Sequence, residues 1–168
     1  MVVRPEAPQD VGAIRKVNVE AFRDRPYSRQ TEHLIVEALR AADALDVSLV
    51  AELDGSVVGH IAFSQGRIGG EAAGWYVLGP VAVLPEFQGR GIGRALVESG
   101  LDGLRSRGAG GCVLVGDPAF YTRFGFEQVP GVVWADVPDE NVLCLRIAGP
   151  VPLGEVTHHP AFSLEPPA

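Results

Sequence analysis

Lysine is nearly absent from this chain. Lys16 is the only one among 168 residues, and the rest of the 14 basic side chains are arginine. Against them stand 21 acidic residues, for a net charge of −7. A nucleic-acid binder needs clustered cations facing the phosphates, so nucleic acid is not expected as a partner. Cysteine is scarce as well. Cys112 and Cys144 each lie inside an apolar run, Cys-Val-Leu-Val and Leu-Cys-Leu, where a reduced thiol packs as a small hydrophobe. The four histidines (33, 60, 158 and 159) lack metal-ligand spacing, so no metal site is expected. No apolar run approaches the ~20 residues that span a bilayer, and the first residues, Met-Val-Val-Arg-Pro-Glu, lack the apolar stretch of a secretory leader. A cytoplasmic protein without a membrane partner is the expectation.

What is present is ordinary in amount and informative in placement. Hydrophobic residues make up 46% and charged residues 21%, as in soluble globular proteins, and the length suits a single domain over 1–168. The stretch from about 148 onward reads as a peripheral, Pro-rich extension of it. Gly and Pro, 21 and 13 residues, punctuate the chain. Val2–Arg4 predicts a short strand. A helix capped by Asp10 follows, with Val11, Ile14, Val17 and Ala21/Phe22 at helical spacing. Arg23–Gln30 reads as a loop, and residues 31–42 as a second helix with Leu34, Ile35, Ala38 and Leu39 on its apolar side. Strands over 47–53 and 56–64 are joined by Asp54-Gly55, a two-residue hairpin turn. Residues 66–74 form a turn region, then 75–84 a strand interrupted by Gly79-Pro80, where pairing should be disturbed. A helix carrying Ile92, Ala95, Leu96, Ser99 and Leu104 ends at Gly108. A buried strand (112–115), a short helix (118–123) ending at Gly125, and a strand (142–147) complete the order β-α-α-β-β-β-α-β-α-β, a mixed α/β arrangement around one sheet.

The segment Val81-Ala82-Val83-Leu84-Pro85-Glu86-Phe87-Gln88-Gly89-Arg90-Gly91-Ile92-Gly93-Arg94 carries the chemistry. A strand runs into a glycine-rich turn that opens directly into a helix. Glycines there let several backbone N–H groups converge at a helix N-terminus, where they lack intrahelical acceptors. Such a turn binds phosphate or pyrophosphate, helped by the helix dipole and by Arg90 and Arg94. A P-loop would need Lys then Ser or Thr where Arg94-Ala95 stands, and the dinucleotide pattern Gly-x-Gly-x-x-Gly fails in either register. The pattern that fits is Gln-x-x-Gly-x-Gly, on Gln88, Gly91 and Gly93.

With this motif, and with Gly116-Asp117-Pro118-Ala119-Phe120-Tyr121-Thr122-Arg123-Phe124-Gly125-Phe126 at the appropriate interval after it, the sequence resembles the GNAT superfamily of acetyl-CoA-dependent N-acetyltransferases, and within it a group of small bacterial members. The resemblance implies a mostly antiparallel central sheet with one splayed parallel strand pair, here 75–84 and 112–116, flanked by about four helices. It implies acetyl-CoA as co-substrate and an amine on a small molecule, peptide or protein as acceptor; a homodimer is compatible with it. Val81, Ala82 and Val83 would meet the acetyl and pantetheine portions through their backbone. Gln88, Gly89, Arg90, Gly91, Ile92, Gly93 and Arg94 would hold the pyrophosphate, with Asp117, Phe120 and Arg123 flanking the cofactor.

Tyr121 matches the family's tyrosine near the cofactor sulfur, where it would protonate or stabilise the thiolate; otherwise it is a packing ring beside Phe120 and Phe124. Asp117 either caps the short helix or touches the pantetheine. Many relatives place a glutamate on the strand before the turn, but residues 75–83 hold no carboxylate. Glu71 and His60 are the nearest titratable candidates, and the base is unassigned. Arg23, Arg25 and Arg29 are either a solvated loop or part of the acceptor site. A non-catalytic acyl-CoA sensor or interaction module is the rival function.

Overall fold

Asp54 and Gly55 take positive φ angles of 50° and 78°, as a two-residue hairpin requires. This turn organises the first half of a computed structural model that describes residues 1–70 and 74–166. In chain order the elements begin with β1 (Val2–Pro5), α1 (Val11–Phe22), α2 (Glu32–Ala41), β2 (Val47–Leu53), β3 (Ser56–Gln65), β4 (Arg67–Ile68) and β5 (Trp75–Val83). They continue with α3 (Ile92–Ser106), β6 (Gly111–Val115), α4 (Pro118–Tyr121), β7 (Val132–Val133), β8 (Val142–Arg146) and β9 (Gly154–Thr157). Six strands form a mixed sheet in the order β1-β2-β3-β5-β6-β8. The pairs β1–β2, β2–β3 and β6–β8 are antiparallel, and β5–β6 is parallel. That mostly antiparallel sheet with one parallel pair and four helices is the expected fold. The parallel ladder registers Trp75↔Gly111, Tyr76↔Cys112 and Val77↔Val113, while β5 itself continues to Val83.

The chain resolves into two compact units. The first comprises Met1–Phe63, Gly79–Leu101 and Pro160–Ala168. In it Ile14, Val36 and Val50, each at most 1% exposed, pack together and contribute about 1.5–3 kcal/mol apiece. Along α1 the buried positions Ile14, Val17, Asn18 and Ala21 follow helical spacing, whereas Val11 is exposed. Lys16 also lies on the exposed side of α1. Asp10 departs from its expected capping role. Its carboxylate is buried, accepting from the Ala7 amide at 2.7 Å and from Arg4 at 2.7 and 3.1 Å. Hydrogen bonding to Arg4 holds its pKa below the ordinary value. On α2 the fully buried residues are Val36 and Leu39, while Leu34, Ile35 and Ala38 are half-buried. The reason is that α2 packs against both α1 and the Pro160–Ser163 turn, so no single stripe faces the core. On α3, Gly100 admits the Phe63 ring, since a Cβ there would lie 2.3 Å from it.

The second unit comprises Ser64–Leu78 and Asp102–His159. Trp75, Val113, Phe126, Leu143 and Val156 are buried in it. The Trp75 ring fills the space a Gly111 side chain would need, 2.4 Å from that Cβ position. Cys112 and Cys144 are free and buried, as expected, and burial pushes the Cys144 thiol up to about 12. A second sheet, β4-β9-β7, comes from segments expected to be turn or irregular tail. Within the expected turn at 66–74, residues 71–73 and hence Glu71 lie outside the described residues. Among the described residues, no helix is long and apolar enough to cross a membrane.

Candidate active site

In the first unit, β5 delivers the chain to the glycine turn with a change of exposure. Gly79, Val81 and Val83 are half-buried and alternate with buried Pro80 and Ala82. Alternation of side chains along a strand puts Val81 and Val83 on one face. Pro85–Phe87 makes a single 3-10 turn, and Gln88 then extends. Gly89 and Gly91 follow with φ of 76° and 81°, angles that disfavour any residue with a Cβ. Nothing lies within 4 Å of where a Cβ on either would be, so the space beside the turn is open. The first intrahelical bond is Ala95 N–H to Gly91 O at 3.0 Å. Amides before it belong to the helix end that leaves N–H groups for an external acceptor. This donor set and open space fit a pyrophosphate.

Side chains brace the turn rather than fill it. Ile92 is 4% exposed and anchors it in the core, so its contribution to a ligand is its amide. Gln88 is held at both ends: its amide nitrogen donates to Val83 O at 2.9 Å and its oxygen accepts from Arg25 at 3.0 Å. The Arg25 bond was not foreseen; only an exposed arginine after α1 signals it. Arg90 lies over the Phe87 ring at 5.2 Å, and Arg94 pairs with Glu98 at 2.8 Å. A shallow hollow beside the turn is lined by Glu20, Ala21, Asp24, Arg25, Pro85 and Gln88.

In the second unit, Gly116 ends β6 and Asp117 opens α4. The Asp117 carboxylate accepts from the Ala119 amide at 2.9 Å, which is the capping alternative. Asn141, absent from the sequence reading, fixes this corner: its side chain donates to Gly116 O at 3.1 Å and its carbonyl accepts from Gly116 N–H at 2.9 Å. Tyr121 is half-buried among aromatic rings, 4.9 Å from Phe120 and 5.8 Å from Phe126, both edge-on. Its ring lies against Gly116, where a Cβ would come within 2.5 Å. Arg123 stacks over Phe120 at 5.1 Å. Gly125, with φ 96°, closes the segment.

His60 is fully buried in the first unit. Its Nδ1 accepts from Asn18 at 3.2 Å, which leaves Nε2–H to donate to Ser48 at 2.9 Å. Burial, aided by the Arg40 charge, pushes its pKa down to about 3. With both nitrogens engaged and no exposure, it is a core residue and not the base.

The sequence profile described as "Acetyltransferase (GNAT) family" matches residues 13–126. The chain is 39% identical over 128 residues to the uncharacterized N-acetyltransferase YhbS of Escherichia coli K12, covering 76% of this chain and 74% of that one. Among solved structures, a GNAT family acetyltransferase from Brucella melitensis in complex with acetyl-CoA is 51% identical, with a TM-score of 0.86 and coverage of 96% and 97%. YhbS from Escherichia coli in complex with CoA is 32% identical, with a TM-score of 0.83 and coverage of 97% and 92%. A family match over most of the length, relatives at 39% and 51% identity and a shared fold agree, and the chain belongs to the GNAT family of acetyl-CoA-dependent N-acetyltransferases.

Proposed function

We propose that the backbone of Gln88–Arg94 holds the acetyl-CoA pyrophosphate and that Tyr121 serves the departing thiolate. The observation that carries this reading is the strand–turn–helix of 81–95, with its two left-handed glycines, open flank and a helical hydrogen-bond ladder that begins at Ala95 N–H to Gly91 O. Arg90 adds charge at the turn, while Val81, Ala82 and Val83 offer backbone groups to the pantetheine and the acetyl carbonyl. Asp117, Phe120 and Arg123 shape the surroundings of Tyr121.

In the reaction the neutral amine attacks the acetyl carbonyl, the tetrahedral adduct collapses, and the C–S bond breaks as the amide forms. The amine's surplus proton passes to water, directly or through a carboxylate outside β5, which itself carries none. The Tyr121 hydroxyl donates to the sulfur. Full transfer from a phenol of pKa about 10 to a thiolate of conjugate pKa about 8.5 is uphill by about 2 kcal/mol, so hydrogen-bond stabilisation is the larger contribution. The acceptor is a primary amine.

Calorimetric titration with acetyl-CoA and CoA, on the wild type and on Gly91→Asp, tests the donor site. Micromolar binding that disappears in the variant supports it, and absence of binding to the wild type defeats it. Binding without turnover on any amine would favour the acyl-CoA sensor instead.

A further inference from the structure

The C-terminal strap of residues 160–165 is fastened to the first unit at three points. Its turn, Pro160–Ser163, packs against α2 and buries Ala161 to 3% exposure. Glu165 pairs with Arg29, in the loop between α1 and α2. Phe162, half-buried, reaches β5: a Cβ on Gly79 would stand 3.8 Å from its ring carbon Cε1, which is van der Waals distance. Gly79 lies two residues before Val81 on β5, and both are half-buried. The ring therefore lies two residues from the position where the acetyl carbonyl is read to sit. Three attachments, one apolar, one ionic and one through the turn, hold a single aromatic ring beside Gly79.

We propose that this strap is a wall of the acceptor site and that Phe162 determines which amines reach the acetyl group. The inference rests on the reading that Val81 meets the acetyl end of acetyl-CoA. An apolar ring at that end favours a compact primary amine whose carbon body packs on the ring face, with its ammonium form attracted by the same face on approach. It also limits water at the thioester. The Arg29–Glu165 pair is exposed on both sides, 51% and 79%, so it fastens the strap weakly enough for amines to enter.

The first test places 4-fluorophenylalanine at position 162 and follows its fluorine resonance during titration with acetyl-CoA and, separately, with CoA. The resonance is expected to differ between the two bound forms, and identical positions would overturn the proposal. The second test compares Phe162→Ala and Phe162→Leu with the wild type, using methylamine, phenethylamine and spermidine as acceptors and thiol release without amine as the hydrolysis readout. In Phe162→Ala, water attack on the thioester, giving acetate and CoA thiol, should rise severalfold. Its relative kcat/KM for phenethylamine over methylamine should shift about tenfold. Phe162→Leu, which fills the space without a π face, should keep hydrolysis low, and acetyl-CoA affinity should hold in both variants. Unchanged hydrolysis and unchanged amine preference would overturn the wall. A wild type that fails to bind acetyl-CoA removes the underlying donor reading, whereas intact binding with a silent fluorine defeats the wall alone.

Discussion

The glycine turn at 88–94 and the tyrosine segment at 116–126 are built in opposite ways. The turn is exposed and works through backbone: two positive φ angles, open flanks and a single buried anchor, Ile92. The tyrosine segment works through side chains, with Tyr121 touching the rings of Phe120, Phe124 and Phe126 and Gly116 lacking the side chain that would displace it. A backbone site tolerates changes of neighbouring side chains but not of its glycines. A ring cluster tolerates little at any position, because each ring locates the next. The difference predicts that damage to the turn appears in donor affinity and damage to the tyrosine segment in turnover.

Gly91→Asp should give the largest effect, a loss of acetyl-CoA affinity of about a hundredfold or more, by adding a Cβ at a left-handed position and a carboxylate facing the phosphates. Calorimetry reads it directly. Tyr121→Phe should lower kcat by about a hundredfold with acetyl-CoA affinity held, measured by steady-state kinetics alongside titration. Loss of affinity equal to the loss of kcat would erase the contrast.

Asp10→Asn serves as a control away from both segments. It should cost about 2 kcal/mol in denaturant unfolding while sparing turnover at low temperature. Since Arg4 lowers the Asp10 pKa from 3.8, this stabilisation is complete above that value and is lost as pH falls through the lower folded one. The wild type should therefore lose more stability than Asp10→Asn in an acid titration. Arg25→Ala should have the smallest effect, a change of a few fold in acetyl-CoA affinity, because Gln88 keeps its bond to Val83 O.

The same contrast explains what could be read in advance. The strand–turn–helix at 81–95 was legible because Gly89 and Gly91 take left-handed φ angles, and the residue names record that need. The strand and helix order was legible wherever the period ran for five residues or more. β4 and β7 were not, since two residues carry no period, and β9 lies among prolines and glycines. The apolar side of α2 was misjudged because the strap covers it from a second direction. Local spacing could not reveal the Asn141 clasp on Gly116, the partners being 25 positions apart, or the Arg25 bond to Gln88, at 63 positions apart. The His60 role turned on Asn18 and Ser48, which meet it only in the folded chain.

Lys16, exposed on α1, is the one ε-amine this amine acetyltransferase carries. Every other cationic side chain is a guanidinium, which stays protonated and non-nucleophilic at any working pH. The protein is thus a poor substrate for itself. Among its own side chains acetyl-CoA meets a single nucleophile of the lysine kind, and accumulated lysine self-modification would be confined to that site on α1.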